Sequence, residues 1–123
     1  MNTTWYYLDT ENGDKLYTAV SVPEKTPCPT IIYRSPYVDD TENMTEDEVA
    51  EKADGAARTF LLRGYALIWQ HCRGRGKSTG EHIPFLYEHE DGIALRNWVR
   101  KQPFYNGELF LCGGSYLTCV HFC

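Results

Sequence analysis

The stretch ELFLCGGSYL, residues 108 to 117, decides how the rest of the chain is read. It opens as a continuous apolar run, "ELFLC" (108–112), of the kind a strand shows when both of its faces are covered. That run leads straight into Gly113-Gly114-Ser115. A serine hydroxyl is a poor nucleophile unless it is exposed, tightly positioned and paired with a base. A nucleophile elbow meets the first two conditions by placing the serine on a sharp strand-to-helix turn. Small neighbours are needed there because strand and helix backbones come close together. Gly113 and Gly114 supply them, while Leu117 stands where the G-x-S-x-G pattern has its last glycine. Two readings stand on these residues alone: a catalytic elbow, and a glycine-rich turn carrying a structural serine.

Upstream, strand and helix patterns alternate. "TTWYYLD" (3–9) and "KLYTAVSV" (15–22) are rich in aromatic and β-branched residues and read as strands, joined by the turn chemistry of Asn12-Gly13-Asp14. "TIIYR" (30–34) and "YALIWQ" (65–70) read as buried strands. Between them, Thr45 and Glu48 form a capping box, and Val49, Ala53, Ala56, Ala57 and Phe60 share one helical face before Gly64 stops the helix. A second helix is predicted over Glu90 to Lys101, with Ile93, Leu95, Trp98 and Val99 in apolar contact, ending before Pro103. This order predicts an α/β fold: a mostly parallel sheet with helices on its faces, entered through an antiparallel N-terminal hairpin. Ligands in such sheets bind beyond the carboxyl ends of the strands. The loops 35–44, 71–84 and 113–116 fall there.

The 123 residues suit one domain, and 42% hydrophobic with 24% charged residues is ordinary globular usage. A net charge of −5 argues against nucleic acid as a partner, and Arg73, Arg75 and Lys77 read as a solvated or salt-bridged turn. No apolar run has the roughly 18 residues of a membrane span, and "MNTTWYYLDTENGDK" lacks the order of a signal peptide, so a cytoplasmic location with reduced cysteines is expected. The C-terminal "CVHFC" lacks zinc spacing, and no metal is expected. "HCRGRGKSTG" (71–80) imitates a phosphate-binding loop, but His71 stands where its first glycine must be, and Thr79, Gly80 and Pro84 break the helix that must follow.

Several segments occur together and in order: "NGDKLYTAVSVPE", "RSPY" (34–37), "RGYALIWQHCRGRGKSTGE" (63–81) and "DGIALRNWVRKQPFYNGELFLCGGSYL" (91–117). This set resembles the α/β-hydrolase domain of cocaine-esterase-like acyl esterases, α-amino-acid ester hydrolases and X-prolyl dipeptidyl peptidases. The resemblance implies that residues 1–123 are the N-terminal portion of such a domain, truncated after the nucleophile elbow. It implies Ser115 as nucleophile, the backbone N–H of Tyr116 as one arm of the oxyanion hole and the Tyr37 hydroxyl as the other. It implies dipeptidyl-peptidase or esterase activity on small-molecule ester, amide or peptide substrates, with no cofactor. It also implies a structural role for the 71–80 loop. Where His71 stands, a common member of the family has aspartate, which leaves the ion-pair partner of Arg73 open.

A serine hydrolase of this kind needs an aspartate and a histidine after the serine. Only Tyr116 to Cys123 follow Ser115, and their one histidine, His121, faces away if the helix is regular. His71, His82 and His89 precede the nucleophile and match no catalytic position. The chain alone is therefore expected to be inactive and prone to self-association, its nearest partner being a missing C-terminal half. The alternative function is a non-catalytic half-domain that docks with a separate C-terminal half.

Overall fold

The computed structural model describes residues 2–35, 41–80 and 87–112. Among the described residues, five strands and two helices follow one another as β1 (Thr3–Asp9), β2 (Lys15–Ser21), β3 (Cys28–Ser35), α1 (Glu46–Leu62), β4 (Ala66–His71), α2 (Glu88–Arg100) and β5 (Tyr105–Leu111). They form one sheet in the order β1-β2-β4-β3-β5. β1 and β2 make the antiparallel hairpin, from Asp9 opposite Lys15 to Thr3 opposite Ser21. β2 is also antiparallel to β4, whereas β4, β3 and β5 are parallel neighbours. All strands except β2 therefore run the same way, as the alternation of strand and helix patterns implies.

The period of two along each strand sorts the core into two layers. On one face Val20, Ile68 and Ile32 form a row across β2, β4 and β3, and Leu95 and Val99 of α2 pack on it. On the other, Tyr17, Ala19 and Trp69 meet Val49 and Ala53 of α1. Each fully buried aliphatic side chain contributes about 1.5–3 kcal/mol.

α1 starts where its capping box lies. The Thr45 hydroxyl accepts from the Glu48 N–H, and the Glu48 carboxylate accepts from the Thr45 N–H. It ends in a Schellman motif, with the Gly64 N–H on the Leu61 carbonyl and the Tyr65 N–H on the Phe60 carbonyl. Gly64 takes φ +85° there, which an L side chain resists. The buried stripe is Val49, Ala50, Ala53 and Ala57, so Ala50 belongs to it and Ala56, expected inside, is exposed. Ala53 lies four residues after Val49 and three after Ala50, and Ala57 four after Ala53, so the stripe runs between Val49 and Ala50 and leaves Ala56 at its margin.

α2 begins two residues earlier than its pattern suggests, and Ile93 lies 40% exposed, off the face that carries Leu95 and Val99. β5 departs furthest from expectation. "ELFLC" reads as a buried strand, yet Phe110 and Leu111 are 46% and 36% exposed. β5 pairs only with β3, and among the described residues no strand lies on its other side. No helix among the described residues is long and apolar enough to cross a membrane.

Candidate active site

Parallel β3, β4 and β5 send their carboxyl ends to one edge of the sheet. Ser35 is opposite His71, and the Cys72 N–H continues the ladder onto the Ser35 carbonyl at 3.0 Å. Leu111 is opposite Ile32, and the Cys112 N–H reaches the Ile32 carbonyl at 2.9 Å. The three residues expected to carry the chemistry, Tyr37, Ser115 and Tyr116, lie outside the described residues, as do His82 and His121.

One row nearer this edge than the apolar Val20–Ile68–Ile32 row, the side chains turn polar. Arg34, Gln70 and Thr18 sit side by side on the face beneath α2. Arg34 Nε donates to Gln70 Oε1 at 2.8 Å, and Gln70 Nε2 donates to Thr18 Oγ1 at 3.0 Å. Asp91, in the first turn of α2, closes the row from above. Its carboxylate takes two hydrogen bonds from Arg73, Nη2 at 2.7 Å and Nε at 3.2 Å, and lies 4.0 Å from Arg34 Nη2. Asp14 of the hairpin turn adds a carboxylate 3.7 Å from Arg73 Nη1, and the Tyr87 ring stacks 3.8 Å from the guanidinium carbon.

Arg73 is thereby paired by Asp91, which settles the partner left open at position 71. Burial alone would lower the guanidinium pKa, but the hydrogen bonds and charges of Asp91, with Asp14 and Glu90, outweigh it and raise it. Arg34, Arg73 and Asp91 are all nearly inaccessible, at 1%, 3% and 2%. Buried charges persist only when paired in this way.

The 72–80 loop is structural, as expected, and takes up the work where β4 stops. Beyond Thr18 opposite Gln70, β4 no longer supplies partners to β2. The Ser78 hydroxyl accepts from the Tyr17 N–H at 2.9 Å and donates to the His71 carbonyl at 2.8 Å. Thr79 exchanges two bonds with Lys15: its N–H to the Lys15 carbonyl, and the Lys15 N–H to its hydroxyl. Gly80 has to be glycine, since φ is +93° and a Cβ would stand 2.7 Å from Asp14 Oδ2 and 2.8 Å from Arg73 Cγ. Arg73 of this loop thus faces carboxylates, and Lys77 a carbonyl. Lys77 Nζ lies 3.4 Å from the Glu42 carbonyl.

His71 is 2% exposed and structural. Its Nδ1 accepts from the Lys77 N–H at 3.0 Å, which puts the ring proton on Nε2. Its ring lies 5.0 Å from that of Tyr17. Burial, with Lys77 and Lys52 nearby, pulls its pKa down to about 4. His89 is exposed on α2. Arg34, Gln70 and Asp91 were not singled out by the sequence, although a charged or amide side chain ending an apolar strand run is a signal that something must pair it.

The comparisons agree with this architecture. The family model described as X-Pro dipeptidyl-peptidase (S15 family) matches residues 12–122. Cocaine esterase from Rhodococcus sp. (strain MB1 Bresler) is 33% identical over 58 residues, 47% of this chain and 10% of the esterase. The CocE/NonD family hydrolase of Staphylococcus aureus superposes with a TM-score of 0.75 at 20% identity, covering 98% of this chain and 24% of its own. An α-amino acid ester hydrolase superposes with a TM-score of 0.71 at 21% identity, covering 94% and 21%. The chain thus spans about a quarter or less of the length of these proteins. An N-terminal hairpin, a mixed sheet and a family model that matches residues 12–122 make this chain a member of the X-Pro dipeptidyl-peptidase (S15) family of α/β-hydrolases.

Proposed function

We propose that residues 1–123 form the nucleophile-bearing portion of a serine hydrolase that cleaves acyl ester or amide bonds, X-Pro dipeptidyl bonds among them. The observation that carries this reading is the shared register of β3 and β5. Tyr37 follows Ile32 by 37 − 32 = 5 residues and Ser115 follows Leu111 by 115 − 111 = 4, and Ile32 and Leu111 are cross-strand partners. The chain therefore leaves adjacent parallel strands at the same edge shortly before each residue. That edge is where ligands of such sheets bind.

In the proposed reaction Ser115 Oγ attacks the substrate carbonyl carbon and gives its proton to a histidine base. The carbonyl oxygen becomes an oxyanion held by the Tyr116 N–H and the Tyr37 hydroxyl. Collapse expels the leaving alcohol or amine, which takes the proton, and water then hydrolyses the acyl-Ser115 ester. Residues 116–123 hold no carboxylate and a single histidine, His121, so the base and its orienting acid come from further polypeptide. A second reading, complementation by a separate C-terminal half, is favoured by the exposed Phe110 and Leu111 on a strand paired on one side among the described residues. The compartment we propose is the cytoplasm, whose reducing surroundings suit the buried thiol of Cys28.

Burst kinetics with a p-nitrophenyl ester test the reading. Protein purified from its natural source is expected to release one equivalent of p-nitrophenolate quickly and then turn over slowly. Ser115→Ala abolishes the burst, and Tyr37→Phe lowers kcat about 10²–10³-fold. The isolated 123-residue chain is expected to give no burst. A burst that survives Ser115→Ala sinks the proposal.

A further inference from the structure

His71 is used by none of the chemistry above, yet it is buried, titratable and bonded to the loop that closes the sheet edge. We propose that His71 is an acid-operated latch, whose neutral ring holds the 72–80 loop on β2 and whose protonation releases that loop while the sheet stays folded.

The geometry requires a neutral ring. Nδ1 is occupied as the acceptor of the Lys77 N–H at 3.0 Å. A proton on Nδ1 turns that acceptor into a second donor, facing an N–H it can no longer bond. Among the described residues, the groups around the ring offer the imidazolium no compensation. From β2 comes the Tyr17 ring, 5.0 Å away, whose hydroxyl is committed to the Glu46 carbonyl at 2.6 Å. From α1 comes the Lys52 ammonium, and from the loop itself the Lys77 ammonium, both repelling a positive ring. The nearby carboxylates of α1 act on other groups: Glu46 and Asp47 on Tyr17, and Glu48 on Lys77. From β3, Ser35 pairs with His71 through the backbone and brings no charge.

The Lys77 contact lies next in the chain to the residues that clasp β2. The turn is closed by the Arg75 N–H on the Cys72 carbonyl and the Ser78 N–H on the Arg75 carbonyl. Its attachment to β2 runs through Ser78 and Thr79, directly after Lys77. Displacing Lys77 therefore pulls on both residues of that clasp. The closed state binds the proton only near pH 4, while a solvated histidine binds it near 6.5. Above pH 6.5 neither state is protonated and the latch is fully closed. As pH falls from 6.5 towards 4 the open state gains about tenfold per unit, roughly 300-fold in all.

The test is amide hydrogen exchange by NMR on the 123-residue chain from pH 7 to 4.5, with rates corrected for the intrinsic pH dependence. Protection of the Lys77 and Thr79 amides is expected to fall about tenfold per unit below about pH 6.5, with Ile32 and Ile68 holding theirs. In His71→Asn, whose carboxamide oxygen can accept from Lys77 without titrating, Lys77 protection is expected to stay level. The proposal is overturned if Lys77 protection is level in the wild type. It is also overturned if protection falls equally in the variant, or if Ile32 and Ile68 are lost in step. Should the variant not fold, the ¹⁵N shifts of the wild-type His71 ring decide. They must report protonation over the range in which Lys77 opens, and a ring that stays neutral there overturns the latch.

Discussion

β2 and β5 are both seven-residue strands of one sheet, and their surroundings differ almost completely. β2 is buried from Leu16 to Ser21, with β1 and β4 on its two sides and a helix on each face. Where β4 stops, Ser78 and Thr79 take over its backbone partners. β5 pairs with β3 alone among the described residues, and α1 packs on β1, β2 and β4 rather than over it. Its apolar side chains are those of a covered strand, but Phe110 and Leu111 face solvent. The comparison teaches that a strand's composition records the environment for which it was selected. For β2 the described residues provide that environment, and for β5 they do not.

Substitutions can break or sharpen this contrast. The largest effect is expected at the ionic cluster beside β2. Asp91→Ala leaves Arg73 and Arg34 buried without their shared carboxylate and should cost about 3–5 kcal/mol in urea unfolding. Next comes Ile68→Ala, in the centre of β4 and fully buried, at about 3 kcal/mol by the same measurement. Gly80→Ala should cost about 2 kcal/mol, from a positive φ and a Cβ driven against Asp14 and Arg73, read as a lowered Tm. The smallest effect belongs to β5. Phe110→Ser is expected to change stability by no more than about 0.5 kcal/mol while raising the concentration at which the chain aggregates, followed by light scattering. A loss at Phe110 equal to that at Ile68 would erase the contrast.

The sequence shows the fold well wherever the signal is local. Thr3–Asp9 is legible as a strand from its aromatic and β-branched residues, and α1 from Thr45 and Glu48, whose capping box the structure forms. The elements alternate as the pattern says, and that fixes the direction of every strand after the hairpin. The ionic cluster was not legible, because Arg34, Gln70 with Arg73, and Asp91 come from three separate segments and become neighbours only when β3, β4 and α2 assemble. The exposure of β5 was illegible for the opposite reason: its residues say buried, and only the arrangement of its neighbours says otherwise. For the proposed nucleophile, Gly113-Gly114-Ser115 carries half of the signal and the ordered set of accompanying motifs carries the rest.

The central claim is that the sheet edge formed by β3, β4 and β5 presents Ser115 as an activated nucleophile. Fluorophosphonate labelling of the protein isolated from its natural source, followed by peptide mass mapping, tests it most directly. The account predicts one covalent adduct, on the peptide that contains Ser115. An adduct on any other residue, or no adduct on the intact protein, contradicts it.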